Sequence, residues 1–177
     1  YFSAERIVKD IEYLIRTYGV KGIYFREDHF TFNKKRIHEF CRLIQEREVN
    51  VKWFCESRIT DITRDLLEEM KKSGCEWIYF GCESGSQRVL DHMKKGITVE
   101  KIKEVIGLCN ELGVKSHTSW IAGAPSETEQ ELQMTLDLIR EIKPASSGIN
   151  VYIGLPGSEY YEDLIQSDEF LGFDELG

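Results

Sequence analysis

The sequence predicts an α/β fold of parallel strands joined by helical crossovers, a barrel or partial barrel, and three observations carry that reading. Five β-rich runs begin near positions 20, 51, 76, 114 and 148, so successive starts lie 31, 25, 38 and 34 residues apart, the length of a βαβ unit. Between them, apolar residues recur at helical spacing. Each run also ends in a polar or glycine-bearing cluster, and neither G-x-G-x-x-G nor G-x-x-x-x-G-K-[ST] occurs. A site spread over several strand ends is the habit of a barrel, whereas a doubly wound sheet gathers its site at one switch point.

The elements follow in order. Ile7, Ile11, Leu14, Ile15 and Tyr18 make an amphipathic helix that stops at Gly19, a residue at ease in a left-handed helix end. Val20 to Phe25 reads as a strand, and Ile37, Phe40, Cys41 and Ile44 form a helical stripe after a cap at Asn33. Val51 to Cys55 is a strand, Thr63 to Ser73 a helix ended by Gly74, and Trp77 to Phe80 a strand. Ile102, Val105, Ile106, Cys109 and Leu112 mark a helix stopped by Gly113. Val114 to Ala122 and Gly148 to Leu155 are the last strands, with a helix from about Glu127 to Ile142 between them. The first helix carries an apolar stripe that would ordinarily pack on a strand before it, so a strand is expected upstream of Tyr1. We assign residues 1–166 to the barrel and 167–177 to an acidic C-terminal segment.

Composition narrows the function. The 177 residues are 41% hydrophobic and 31% charged, enough to bury a core and unlike a disordered chain. No apolar run approaches the roughly 20 residues of a membrane span, and the start lacks the basic-then-apolar build of a signal peptide. With 31 acidic against 23 basic residues the net charge is −8, which repels a phosphate backbone, so nucleic acid is not the expected partner. Cys41, Cys55, Cys75, Cys82 and Cys109 are odd in number and scattered, which fits a reducing, cytoplasmic compartment better than a disulfide framework or a zinc knuckle. Cys41 and Cys109 fall on helical stripes, Cys55 is in a strand and Cys75 follows a helix-ending glycine, so each is expected to be a small buried hydrophobe.

Glu27, Asp28, Glu56, Arg58 and Glu83 would ring the top of such a barrel, with Gly81, Gly85 and Gly123 admitting close backbone approach. Carboxylates hold ammonium and hydroxyl groups while a guanidinium forks onto a carboxylate, so the set suits an amphoteric small molecule. The plainer alternative is solvated charge at strand ends. Glu83 stands apart, because it follows the apolar strand Trp77-Ile78-Tyr79-Phe80 between two glycines, a costly place for an idle carboxylate. His117 lies in the unusually polar strand Ser116-His117-Thr118-Ser119-Trp120 and would be either hydrogen-bonded locally or turned toward substrate. Lys94-Lys95 is too short for a nucleic-acid patch.

Several segments carry a family resemblance. Gly81-Cys82-Glu83-Ser84-Gly85-Ser86, then Leu90 and Lys95-Gly96-Ile97-Thr98, resembles the fourth-strand segment of radical S-adenosylmethionine enzymes, especially the cobalamin-binding branch. Ile23-Tyr24-Phe25-Arg26-Glu27-Asp28-His29-Phe30-Thr31 resembles the second strand of that family, with its paired acids before an aromatic. Arg58, Leu66-Leu67, Met70-Lys71-Lys72 and Ser73-Gly74-Cys75 resemble the third unit, Ile121-Ala122-Gly123-Ala124-Pro125-Ser126-Glu127-Thr128 the fifth strand, and Leu155-Pro156-Gly157-Ser158 the end of the sixth. The likeness runs in order from residue 3 to about residue 164.

The resemblance implies a partial TIM-like (β/α)6 barrel, truncated at its N-terminus, in which a four-iron four-sulfur cluster binds S-adenosylmethionine and reduces it to a 5′-deoxyadenosyl radical. Hydrogen abstraction, or methyl or methylthio transfer, follows in such enzymes. By the same resemblance Glu27 and Asp28 face the methionine amino group, Arg58 its carboxylate, and Glu83 with Ser84 the ribose hydroxyls, while Ile121, Gly123 and Pro125 border the adenine. A flavodoxin or ferredoxin is implied as electron donor, and a cobalamin domain upstream belongs to the nearest branch. The family holds its cluster with C-x-x-x-C-x-x-C, which is absent here. The missing strand and the missing cysteines share one explanation, that the segment begins just after them. Such a piece is expected to be inactive alone and prone to self-association at the edge beside Val20 to Phe25. Two other classes fit the bare residues: a hydrolase or lyase using Glu27, Glu56 and Glu83 as acid, base or metal ligands, and a non-catalytic binding barrel.

Overall fold

The computed structural model describes residues 2–27, 29–158, 161–162 and 165–166; Asp28 and the acidic segment 167–177 lie outside the described residues. Twelve elements alternate along them: α1 (Ala4–Tyr18), β1 (Gly22–Tyr24), α2 (Lys34–Glu46), β2 (Lys52–Ser57), a 3-10 turn (Ile59–Asp61), α3 (Arg64–Lys72), β3 (Cys75–Glu83), α4 (Gln87–His92), α5 (Val99–Leu112), β4 (Lys115–Ala122), α6 (Glu129–Ile142) and β5 (Ser146–Val151). The strands pair in chain order, β1-β2-β3-β4-β5, and every pairing is parallel. The result is a half-barrel: a curled sheet, concave on one side and covered by helices on the other.

Local chemistry sets the boundaries. Asn33, Thr63, Thr98 and Thr128 each accept a hydrogen bond from the backbone N–H three residues on, capping α2, α3, α5 and α6. Gly19 and Gly113 end α1 and α5 in the left-handed conformation the sequence suggested, at φ 66° in both cases. Gly74 (φ 97°) lets the chain turn against Val51, whose carbonyl leaves no room for a side chain there. Two strand boundaries differ from expectation. β1 is only Gly22–Tyr24, although the Phe25 N–H still donates to Phe54 O at 2.9 Å. β5 begins two residues earlier than read and stops at Val151, with Tyr152 N–H to Ala122 O (2.8 Å) as the last rung.

The core lies on the convex side. Trp53, Cys55, Ile78, Phe80, Cys82 and Trp120 point from the strands into a layer of Ile37, Phe40, Leu67, Met70, Ile102, Ile106 and Cys109 from the helices, all at most 1% exposed. The five cysteines are free and buried, as small hydrophobes. Trp53 also donates its indole N–H to Ser73 O (2.9 Å), so truncating it removes a bond as well as about 3–5 kcal/mol of packing. Burial of α1 is limited to Ala4, Val8 and Ile11. Ile7, Ile11 and Leu14 instead line a mostly apolar groove of about 240 Å³ with Ile23, Phe25 and Phe30 at the β1 edge. Among the described residues no helix is long and apolar enough to cross a membrane.

Candidate active site at the strand ends

Register places the concave face in three rows. The lowest runs Tyr24, Phe54, Trp77, Lys115, and the next runs Glu56, Tyr79, His117, Ser146. Nearest the C-terminal strand ends the row becomes small: Gly81, Ser119, Gly148. Aromatic bulk below and missing side chains above leave a ledge on which a ligand can approach backbone.

Above that ledge the ladder breaks between Gly81 and Glu83, where β3 shifts register against β4. The Ser84 N–H donates to Cys82 O at 2.9 Å, closing a three-residue turn around Glu83, whose φ is 63°. Left-handed backbone at a non-glycine residue persists only where its surroundings enforce it, and here α6 does so. The Gly85 N–H donates to Thr135 Oγ1 (2.8 Å), and a Cβ at Gly85 would lie 2.6 Å from both Met134 O and Thr135 Cα. Ser86, the cap of α4, donates to Glu131 Oε1 (2.9 Å), while Arg88 grips both Glu131 oxygens at 2.7 and 2.6 Å. Glu131 also closes the capping box of α6 with Thr128. Arg88, with Thr128 and Ser86, holds the Glu131 carboxyl well below the usual carboxylate range.

Thus braced, Glu83 presents its carboxylate over Gly81, 14% exposed, where Lys95 Nζ donates to Oε1 at 2.5 Å. Lys95 opens onto a cavity of about 440 Å³ lined by Glu56, Arg58, Tyr79, Gly81, Met93 and Ile97 among others, within the size range of small-molecule sites. Arg58 stands exposed at its rim, just beyond β2. Beneath that corner, Asp61 accepts from Thr31 Oγ1 (2.8 Å) and bonds His29, and Thr31 meets Ser57 Oγ at 2.6 Å. Burial pushes the Asp61 carboxyl up, but Thr31, His29 and the Lys34 charge outweigh it and leave it below its ordinary value. This network ties the loop after β1 to the end of β2.

Glu27 and Ser84 each have local protein partners. Glu27 accepts from Arg36 Nη2 at 2.6 Å and borders the groove beneath α1, so its charge is committed to the helix side. Ser84 is fully buried, accepting from the Ser86 N–H (3.1 Å) and lying 3.3 Å from Thr135 Oγ1, so its hydroxyl helps to fix the turn that carries Glu83. Trp120 pairs with Glu83, which puts Ile121, Gly123 and Pro125 just beyond it at the same end of the sheet. There the Gly123 N–H donates to Glu127 Oε2 at 2.7 Å, and Glu127 Oε1 is buried without a hydrogen-bond partner. No periodic signal marks Lys95, which lies in a loop, or the Arg88–Glu131 clamp, which joins polar positions of α4 and α6 forty-three residues apart.

The three acids read from the strand ends do not converge. Glu56 accepts from the Tyr24 hydroxyl (2.7 Å), Glu83 from Lys95 and Glu27 from Arg36. Among the described residues no group of three His, Cys, Asp or Glu side chains is placed to hold a metal ion. Burial pushes the thiols of Cys41 and Cys109 up to about 12 and those of Cys75 and Cys82 well above the ordinary value, which leaves them unsuited as thiolate ligands.

Comparison with known proteins adds an independent line. A family model, the Radical SAM superfamily, matches residues 1–139. An uncharacterized methyltransferase from Pyrococcus horikoshii is 30% identical over 169 residues, 96% of this chain and 37% of that protein. An anaerobic magnesium-protoporphyrin IX monomethyl ester cyclase from Rubrivivax gelatinosus is 28% identical over 97% of this chain and 31% of its own length. The chain therefore spans about a third of these curated relatives. Among solved structures, the radical S-adenosylmethionine methyltransferase TsrM from Kitasatospora setae, with cobalamin and an iron-sulfur cluster bound, superposes with a TM-score of 0.79 at 17% identity, covering 86% of this chain and 31% of that one. The cobalamin-dependent S-adenosylmethionine radical enzyme OxsB gives 0.71 at 21% identity, over 92% of this chain and 25% of that one. At such identities both show the shared partial barrel.

Proposed function

The chain belongs to the radical SAM superfamily, and from that premise we propose that it is the S-adenosylmethionine-binding part of an iron-sulfur enzyme that generates a 5′-deoxyadenosyl radical for hydrogen abstraction or for methyl or methylthio transfer. One observation carries the reading: the Glu83 carboxylate, braced over Gly81, is paired with Lys95, which lines the cavity of about 440 Å³ together with Arg58. S-adenosylmethionine is an amphoteric ligand with a carboxylate, an ammonium, a sulfonium and a ribose diol. Arg58 suits the carboxylate, Glu83 the diol, and the backbone at Ile121 and Gly123, with Pro125 beyond, the adenine edge. Asp28 supplies the charge for the amino group. Glu27 and Ser84 act as positioning residues, the first through Arg36 and the second through the Glu83 turn.

The described residues do not fit the cluster itself, because every cysteine thiol is buried in the convex core. No step is therefore assigned here to this chain's thiols. A flavodoxin or ferredoxin as reductant, a cobalamin-binding domain, a small-molecule substrate and a cytoplasmic setting complete the proposal, supported by the cobalamin-dependent enzymes among its structural likenesses.

Isothermal titration of the 177-residue chain with S-adenosylmethionine tests the reading. One saturable site is expected, weakened about tenfold or more in Arg58→Met, since a charge-assisted pair contributes about 1.5–3 kcal/mol. Absence of saturable binding, or equal affinity in the variant, would overturn it.

A further inference from the structure

The lowest and middle rows of the concave face share a chain of ring contacts with one end left open. Tyr79 is its hub: its ring lies 5.3 Å from Tyr24, 6.4 Å from Trp77 and 5.1 Å from the His117 imidazole, with interplanar angles of 31°, 26° and 41°. All four rings belong to the concave face by register. At the Tyr24 end the stack is closed, because Arg26 lies 5.0 Å over the Tyr24 ring. At the other end His117 pairs in register with Ser146, whose Oγ lies 3.1 Å from Nδ1, and Gly148, two residues further along β5, is its diagonal neighbour.

Gly148 is the informative residue. A Cβ there would make ordinary contact, 3.6 Å from His117 Nε2 and 3.7 Å from Cε1, and the backbone is not left-handed. Neither strain nor crowding requires glycine at this place. β-strands favour side chains that cover their neighbours, and glycine within a strand marks a close approach by something else. Its effect here is that no β5 side chain covers the Nε2–Cε1 side of the imidazole, on the side of the sheet that carries the small row Gly81, Ser119, Gly148.

We propose that this side of the imidazole is a substrate subsite for a planar conjugated ring bearing a carboxylate, the ring continuing the Tyr24–Tyr79–His117 stack over Gly148 and the carboxylate reaching Lys115. Offset stacking favours flat unsaturated rings over saturated ones of equal size. Lys115 stands two residues below His117 on the same face, about 7 Å along the strand, with its ammonium 5.3 Å over the Trp77 ring. Glu56 is at the opposite end of the row, engaged by Tyr24 and 3.8 Å from Arg26, and Glu76, the carboxylate whose charge Lys115 feels, is already paired with Lys52, which leaves the Lys115 ammonium for an incoming anion. The subsite uses the S-adenosylmethionine reading only for what lies above it; ring binding is measured without cofactor.

The probe is 2-naphthoate, titrated into the 177-residue chain, with decahydro-2-naphthoate and 2-naphthylmethylammonium as counterparts that lack the flat ring or the negative charge. Naphthoate is expected to bind about fivefold or more tightly than either. Gly148→Val, which suits a strand and should leave the melting temperature unchanged or raised, is expected to abolish naphthoate binding. His117→Leu should weaken it about fivefold, and His117→Phe, which keeps a flat ring, should retain it. A chain that binds naphthoate but not S-adenosylmethionine would sink the cofactor reading and leave the subsite standing. Equal binding of the saturated acid, or undiminished binding in Gly148→Val, overturns the proposal.

Discussion

Lys95 Nζ donates to Glu83 Oε1 at 2.5 Å, and both atoms occupy the space above Gly81, where a Cβ would approach them to 3.1 and 2.5 Å. The ion pair and the glycine go together: a side chain at residue 81 would displace the Glu83 carboxylate from its place beside Lys95, at the edge of the cavity that Lys95 lines. Glu83→Gln keeps the shape and replaces a charged acceptor with a neutral amide. S-adenosylmethionine affinity is expected to fall about tenfold or more, the equivalent of about 1.4 kcal/mol. Gly81→Ala should lower it as well by pushing the carboxylate aside. Titration calorimetry paired with thermal melts is the check, and an unchanged dissociation constant beside a lowered melting temperature would remove Glu83 from the binding site.

A second pair of glycines separates crowding from conformation. Gly85 has ordinary φ but no space, because α6 backbone lies 2.6 Å from where its Cβ would be. Gly123 has φ 76° and open space around it. Gly85→Ala is expected to cost about 1–3 kcal/mol by displacing α6 and loosening the Glu83 turn. Gly123→Ala should cost only the conformational amount, about 1 kcal/mol. Urea denaturation reads both; equal losses would mean that α6 yields without effort and does not brace the turn.

Much of this was legible in the chain. The β-rich runs and the 3.6-residue apolar periods disclosed all five strands and five of the six helices; in β2, β3, β4 and those helices one face is buried and that burial is written into the order of residues, whereas β1 and β5 bury none of their residues and were read from composition and spacing. The six-residue α4 was not, since Val89 and Leu90 are its only buried residues and two positions set no period. The site divided in the same way. Glu83 was conspicuous because a carboxylate after an apolar strand is costly to leave unpaired, whereas Lys95, twelve residues later in a loop, acquires meaning only when the fold swings it over Gly81. Ser84 and Glu27 looked equivalent to their neighbours as letters. Backbone direction alone decides that Ser84 faces α6 and that Glu27 meets Arg36.

The thiols give a prediction about iron. Cys41, Cys55, Cys75, Cys82 and Cys109 are each at most 1% exposed, and Cys82, the one nearest the cavity by sequence, is driven further from ionisation by its burial and by the Glu83 charge. A cluster needs about three or four thiolates on one side, so anaerobic reconstitution of this chain with iron and sulfide should leave no stoichiometric iron and none of the thiolate-to-iron absorbance. Iron that stays with the protein through gel filtration would show that the core opens to admit it.

Tyr24 and Glu56 supply the last test, by pH. The Tyr24 hydroxyl donates to Glu56 Oε1 at 2.7 Å, and burial, followed by that bond, pushes its pKa from 10.0 up to about 12. A group whose folded pKa is raised favours its protonated form in the folded state. Whatever the bond adds to stability is therefore complete below the unfolded value near 10 and is lost as pH rises through about 12. Tyr24 is 36% exposed, so solvent screens part of this and the effect on stability is expected to be small. The titration itself is the sharper readout. Of the eight tyrosines, one should ionise late when tyrosinate absorbance is followed to high pH, and Tyr24→Phe should delete that late step. Glu56→Gln should move it down part of the way only, because burial is the larger cause and stays. A late step that ignores Glu56 would mean that the two side chains do not meet in solution.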